Sequence, residues 1–326
     1  MKYAHKLFLI SSLAFVFIVP IKLEAWGFFA HQRINKMAIF ILPAEMMPFY
    51  KRHLKYLMEN SVKPDMRRGV VPNEAPRHFI DQEVYEKDSA LFKMPHFWKD
   101  ALAKYTEDTL MKHGMVPYQI SLMKFELVQA FKENDARKIL KISAEIGHYI
   151  ADANVPLHTT KNYNGQLTNQ MGVHGLWESR LPELYANNYD FFVGQAQVIE
   201  NTNKRIWQNL RNANSLVDSV LIFEKLATER ITENKKYVIE DHNGIPQKTY
   251  SRAYSQAYHK MLNSQVERQM RASVKMIGDV WFTCWVEAGQ PDLNKIINFE
   301  LSDFQKKEDE KEEKTWLQKL FGVREE

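Results

Sequence analysis

The stretch DARKILKISAEIGHYIADANVPLH, residues 135–158, decides how this chain folds. Asp135 stands where a helix N-cap belongs, and Ile139, Ile142, Ile146 and Ile150 recur at helical rather than alternating spacing. That pattern predicts one helix ending shortly before Pro156, whose ring cannot continue it. His148 and Asp152 lie four residues apart on this helix and so share a face. Pro156 then delivers His158 from a turn just past the helix end.

Outward from this segment the sequence reads as helix after helix. Ala44 to Ser61, Lys99 to Lys112 and Tyr118 to Lys132 carry apolar residues at helical intervals, with Pro117 placed where a helix can start. Longer stretches are predicted over Ala196 to Glu233 and Tyr254 to Glu287. Asp241-His242-Asn243-Gly244 marks one turn, consistent with a small hairpin between Tyr237 and Tyr250. With no internal repeat and no Gly/Ser linker, the fold class is all-α, a single multi-helix domain. The composition agrees: 326 residues, 45% hydrophobic and 26% charged, with only 12 glycines and 12 prolines. It excludes a disordered, collagen-like or multi-span membrane chain. A net charge of +4 is too small to mark a polyelectrolyte-binding surface. The lone Cys284 excludes an intrachain disulfide and any multi-cysteine metal site.

Both ends differ from the middle. Lys2 and Lys6 precede an apolar run from Leu7 to Ile21, then Lys22-Leu23-Glu24-Ala25. This is the layout of a secretory signal over residues 1–25, and the run of about 15 residues is shorter than the ~20 a spanning helix needs. Leu23 fits the cleavage site poorly, and an uncleaved anchor is the alternative. The expectation is an exported protein, periplasmic or extracellular, whose mature chain starts at Trp26 and keeps no transmembrane segment. Residues 26–300 form the expected domain. In the tail, 301–326, Lys306 to Lys314 is almost wholly charged, and Trp316, Leu317, Leu320 and Phe321 form a short amphipathic piece. It reads as a solvated tail with a docking turn, or as a helix touching a partner or membrane.

The chemistry concentrates between Gly147 and Arg180. His148, Asp152, His158, His174 and Glu178 fall within 31 residues, and His174 and Glu178 repeat the four-residue interval of His148 and Asp152. One such pair is an ordinary surface contact. Two pairs with a histidine between them, amid Ile, Ala and Val, would be expensive to bury without a cation, and the donor types suit zinc. Upstream, Asp65 and His78 can complete such a site, and Arg68 with Asp81 forms an outer or catalytic pair. The α-amine of Trp26, close to His31, is a further ligand if maturation frees it, because its pKa near 8 lets it deprotonate.

In this order along the chain, these residues resemble the superfamily of zinc-dependent phospholipases C and single-strand-specific nucleases. The resemblance implies a helical fold holding three zinc ions. By position, the first would use Asp65, His78, His148 and Asp152, and the second His158, His174 and Glu178. The third would use the Trp26 amine and carbonyl, His31 and the other oxygen of Asp152. The resemblance also implies a zinc-activated water attacking a phosphodiester in line, with Asp81 orienting or deprotonating the water and Arg68 binding the phosphate. The five-residue step from Trp26 to His31, Asp65-x-x-Arg68, His78-Phe79-Ile80-Asp81, Thr168-Asn169 and Trp177 lean towards a single-strand nuclease or 3′-nucleotidase. Glu178 and the absence of disulfides favour a phospholipase C acting on phosphatidylcholine-type lipids. A non-catalytic, zinc-stabilised binding protein is the third possibility. The expected partner is the phosphodiester substrate, nucleic acid or phospholipid, with no stable protein partner. Phe28, Phe29, Tyr163 and Asn164 are candidates for stacking on a base, and Tyr250, Tyr254 and Tyr258 read as core.

Overall fold

The structure, a computed structural model, describes residues 27–85, 93–242 and 245–300. Residues 1–25, expected to be a secretory signal, Trp26 and the charged tail lie outside the described residues. Helix α1 is Phe28–Ile39, α2 Leu54–Asn60 and α3 Lys63–Arg67. Then come α4, Val116–Lys132, and α5, Ala136–Asp152. The second half holds α6, Thr202–Asn214, α7, Val217–Arg230, α8, Arg252–Leu262, and α9, Gln265–Glu287. A two-stranded antiparallel hairpin, β1 Tyr237–His242 and β2 Ile245–Tyr250, pairs Tyr237 with Tyr250. The fold class is all-α with this one small ribbon among the described residues.

The sequence accounts for the central helix directly. The Asp135 carboxylate accepts from the Lys138 amide at 3.0 Å, capping α5. Ile139, Leu140, Ala144, Ile146 and Ile150 are buried on it, against α4, α1 and α9. The core they share includes Tyr50, Trp207 and Trp281, each fully buried. α1 approaches α5 closely because Gly147 has no side chain: a Cβ there would lie 2.1 Å from Asn35 Oδ1. That approach stacks the His31 ring on His148, with centroids 3.9 Å apart. No helix among the described residues is long and apolar enough to cross a membrane.

Four of the predicted helices are shorter or broken. Ala44 to Ser61 divides at His53 into Met47–Arg52 and α2. Lys99 to Lys112 divides at Thr106, which takes φ +66°. Tyr254 to Glu287 divides where Asn263 and Ser264 adopt left-handed φ of +47° and +60°, conformations that short polar side chains tolerate better than apolar ones. Ala196 to Glu233 begins only at α6, capped by Asn201. Before it the chain is a strap whose amides are satisfied by side chains of α9: Gln197 donates to Asp279 at 2.7 Å and Ile199 to Thr283 at 2.9 Å. A hydrophobicity pattern does not reveal such an alternative bonding scheme. Tyr250, Tyr254 and Tyr258 are buried as expected.

Candidate metal centre

Eight of the nine candidate ligands lie among the described residues, and separate elements bring them together. His31 sits on α1, Asp65 on α3, and His78 ends the 3-10 turn Ala75–His78. His148 and Asp152 occupy the last turns of α5, and His158 the turn Pro156–Thr159. His174 and Glu178 do not share a regular α-helix. The short helix Val173–Gly175 passes into a π-helical turn, Leu176–Arg180, a local widening that often marks functional sites. Trp26 lies outside the described residues, and its neighbour Gly27 donates to Ser179 Oγ at 3.2 Å, beside Glu178.

Asp152 is the hub. Its Oδ2 lies 2.9 Å from His78 Nδ1 and 3.2 Å from His148 Nε2. Its Oδ1 lies 3.4 Å from His31 Nε2 and 3.7 Å from His158 Nδ1. Asp65 divides likewise, Oδ1 facing His78 and His148 at 3.6 and 3.7 Å, and Oδ2 facing His31 at 3.8 Å. His174 Nε2 is 2.8 Å from Glu178 Oε1, and His158 Nε2 is 3.4 Å from Oε2. Tetrahedral zinc with bonds of 2.0–2.2 Å keeps its ligand atoms about 3.3 Å apart, within the spread seen here.

The hydrogen-bond pattern tests whether a cation fits. The Nδ1–H groups of His148, His158 and His174 donate to the carbonyls of Ser61, His78 and Tyr163 at 2.8, 2.7 and 2.8 Å. A neutral imidazole that donates from one nitrogen offers only a lone pair at the other. Yet His158 Nε2 and His174 Nε2 face each other at 3.1 Å, with Glu178 alongside. Both oxygens of Glu178 and of Asp65, Asp152 Oδ1 and both nitrogens of His31 are buried without a hydrogen-bond partner. Buried polar atoms are rarely left so, and divalent cations among them would satisfy the carboxylate oxygens and the inward-facing imidazole nitrogens. Three groups have ligand atoms within 4.8 Å of one another: His31, Asp65 and His148; His78, His148 and Asp152; and His158, His174 and Glu178.

Electrostatics point the same way. Burial alone would raise Asp152, but His148 and His158 overturn it and hold the carboxyl well below the usual range. Burial is likewise outweighed at Glu178, where His174 and His158 bring the carboxyl down to about 2. At Asp65 burial prevails over His78 and pushes the group up to about 6. Burial lowers both His31 and His148.

The two candidate catalytic residues stand at the edge of this cluster. The charge of Arg68, just after α3, acts on Asp65 and His158. Asp81 Oδ2 is paired with His113 Nδ1 at 3.1 Å. Its segment meets the cluster through the backbone, Ile80 N–H donating to His158 O at 2.9 Å. Two residues missing from the sequence reading thus adjoin the site, His113 and Glu74. His113 had no signal of its own. Glu74-x-x-x-His78 repeats the interval of the other pairs. Thr168 and Asn169 are occupied in a turn, Thr168 Oγ1 accepting from Asn162 at 3.0 Å and Asn169 at φ +59°. Trp177 is buried and donates to Gln265 at 3.0 Å.

Gly114 holds the His78–Asp81 segment in place. It takes φ +91° and ψ +151°, and a Cβ would lie 2.2 Å from the Phe79 carbonyl oxygen. Gly114→Ala therefore combines a backbone region reserved for glycine with a backbone clash, together about 3 kcal/mol or more. Thermal unfolding should show a drop of several degrees and weaker zinc retention; an unchanged melting temperature would contradict this packing.

The family comparison agrees with this geometry. A sequence model of the family described as zinc dependent phospholipase C matches residues 30–237. No curated protein matches the chain. Among solved structures it is similar to the alpha-toxin of Clostridium perfringens from avian strain SWCP, at a TM-score of 0.43 and 13% identity. The match covers 82% of this chain and 64% of the toxin chain, so this chain spans less than two thirds of that protein. A match to the family over most of the described residues, including every described candidate ligand, identifies the chain as a member of the zinc-dependent phospholipase C family.

Proposed function

We propose that this chain hydrolyses phospholipids at the headgroup phosphodiester, using three zinc ions held by the nine side chains and termini assigned above. The observation that carries the reading is the buried set of nitrogen and oxygen atoms that face one another without hydrogen bonds. The family match supports a phospholipase over the nuclease reading that the sequence favoured. The rim supports it too. The loop before His174 exposes Leu167 at 65%, Met171 at 61% and Tyr163 at 48%. Gln170 of that loop donates to the Leu221 carbonyl at 2.6 Å, beside exposed Ile222. Asn162, Asn164 and Gln166 brace the loop internally, so its apolar groups are exposed without being loose. A bilayer is an apt substrate surface for such a rim. The nuclease remains the second reading, on the Trp26-to-His31 and Asp65-x-x-Arg68 spacings.

Bound zinc supplies positive charge for the phosphoryl oxygens and water that is nucleophilic near neutral pH. The protein's part is orientation. Asp152 shares its two oxygens between the His78–His148 and His31 sides, and three backbone carbonyls fix which nitrogen of His148, His158 and His174 faces inward. Arg68 adds charge for the phosphate. Asp81, steadied by His113, accepts the proton of the attacking water. Export with removal of residues 1–25 frees the Trp26 amine for its place in the site.

The test is the zinc-loaded chain starting at Trp26, given phosphatidylcholine vesicles, a soluble short-chain phosphatidylcholine, single-stranded DNA and a 3′-nucleotide in parallel. Release of phosphocholine supports the proposal; cleavage of DNA alone replaces it with the nuclease; no turnover by zinc-replete protein leaves a binding protein. The double variant Leu167→Ser/Met171→Ser is expected to lose about tenfold or more on vesicles while sparing the soluble lipid, about two buried side chains' worth of contact. Equal loss on both substrates would remove the rim from the interface.

A further inference from the structure

We propose that Glu74 is a positioning residue of the metal centre, whose carboxylate holds His78 with Nδ1 towards the metal, the reverse of its neighbours. The proposal rests on the zinc reading above. His148, His158 and His174 anchor Nδ1 on backbone carbonyls and turn Nε2 inward. His78 is turned round. Its Nδ1 faces Asp152 at 2.9 Å, His148 at 3.0 Å and Asp65 at 3.6 Å. Its Nε2 is buried with no hydrogen-bond partner and points at Glu74 Oε1, 3.6 Å away.

Glu74 itself is built in. It is 1% exposed, and its Oε1 accepts from the buried Tyr149 hydroxyl. Its Oε2 meets Arg67 Nε and Arg77 at 3.3 Å each. Arg67 is fixed in turn by two parallel bonds of 2.9 Å to Glu145. A carboxylate immobilised by two arginines and a tyrosine, behind a ring with no carbonyl to orient it, favours a proton on His78 Nε2. That leaves Nδ1 as the lone-pair donor and makes the ring more basic. Tyr149 also packs edge-on against His78, centroids 5.2 Å apart, which limits ring rotation.

The test pairs a spectrum with an affinity. In the zinc-loaded wild type, two-bond proton–nitrogen correlations should show His78 protonated at Nε2 and ligated at Nδ1, with His148, His158 and His174 the other way round. Glu74→Gln should weaken one zinc site 10–100-fold in competition with a chelator, while Glu145→Gln, which loosens Arg67 only, should change it less than threefold. His78 ligated through Nε2, or a Glu74→Gln affinity within twofold of wild type, overturns the role of Glu74 alone. Wild-type protein that takes up no zinc overturns the metal site as a whole. If Glu74→Gln does not fold, the wild-type spectrum still decides.

Discussion

Asp152→Ala is expected to remove zinc from two places at once and to lower turnover by roughly 10³-fold or more, the scale of deleting a preorganised group at a reaction centre. Four histidines approach this one carboxylate, His78 and His148 on one oxygen and His31 and His158 on the other. No other carboxylate reaches all four in these contacts. Without it the His78–His148 side keeps only Asp65 as its acid, and the His31 side loses its shared oxygen. Asp152→Asn separates charge from shape: it fills the same space but offers one neutral carbonyl, so it should hold more zinc than the alanine variant and still turn over slowly. Elemental analysis and initial rates on one preparation decide the matter. Full zinc content with full activity in either variant would remove Asp152 from the centre of the site.

Most of this site was legible because its spacing is local. His148 and Asp152 share a helix face by arithmetic alone, and Pro156 announces the turn that carries His158. Asp135 and the Asp241–Gly244 turn placed a helix start and a hairpin for the same reason: each signal acts within a few residues. The breaks at Thr106 and at Asn263–Ser264 were not legible, because non-glycine residues at positive φ are fixed by surrounding packing. The strap before α6 was hidden by its bonds to Asp279 and Thr283, about 80 residues away in sequence. His113 carries no spacing signature towards Asp81, 32 residues distant. Glu74 did carry one, the interval to His78, but such an interval is common on helical surfaces. Its meaning depends on burial and on Arg67 and Tyr149, which only the folded chain brings to it.

Zinc removal is expected to lower the melting temperature by at least about 15 °C, reversibly, with zinc but not magnesium restoring it. The reason lies in the unpartnered atoms. Folding buries both oxygens of Asp65 and of Glu178, and sets the lone pairs of His158 and His174 3.1 Å apart. Without a cation these groups have given up water for nothing and repel one another. Each ion present at 1,000 times its dissociation constant adds about 4 kcal/mol. Two or three together add roughly 8–12 kcal/mol, and 1 kcal/mol moves a domain of this size by about 2 °C. The sign with pH follows from the ligands: imidazoles must be unprotonated to bind, so the zinc-dependent increment grows as pH rises and shrinks as the solution turns acid. Magnesium prefers an oxygen cage and should leave these nitrogens unsatisfied. Scans with and without chelator at pH 5.5 and 7.5 measure both effects. A melting temperature indifferent to chelator at pH 7.5 would mean that the clustered side chains stabilise one another through protons alone, and that the cluster has no need of a metal.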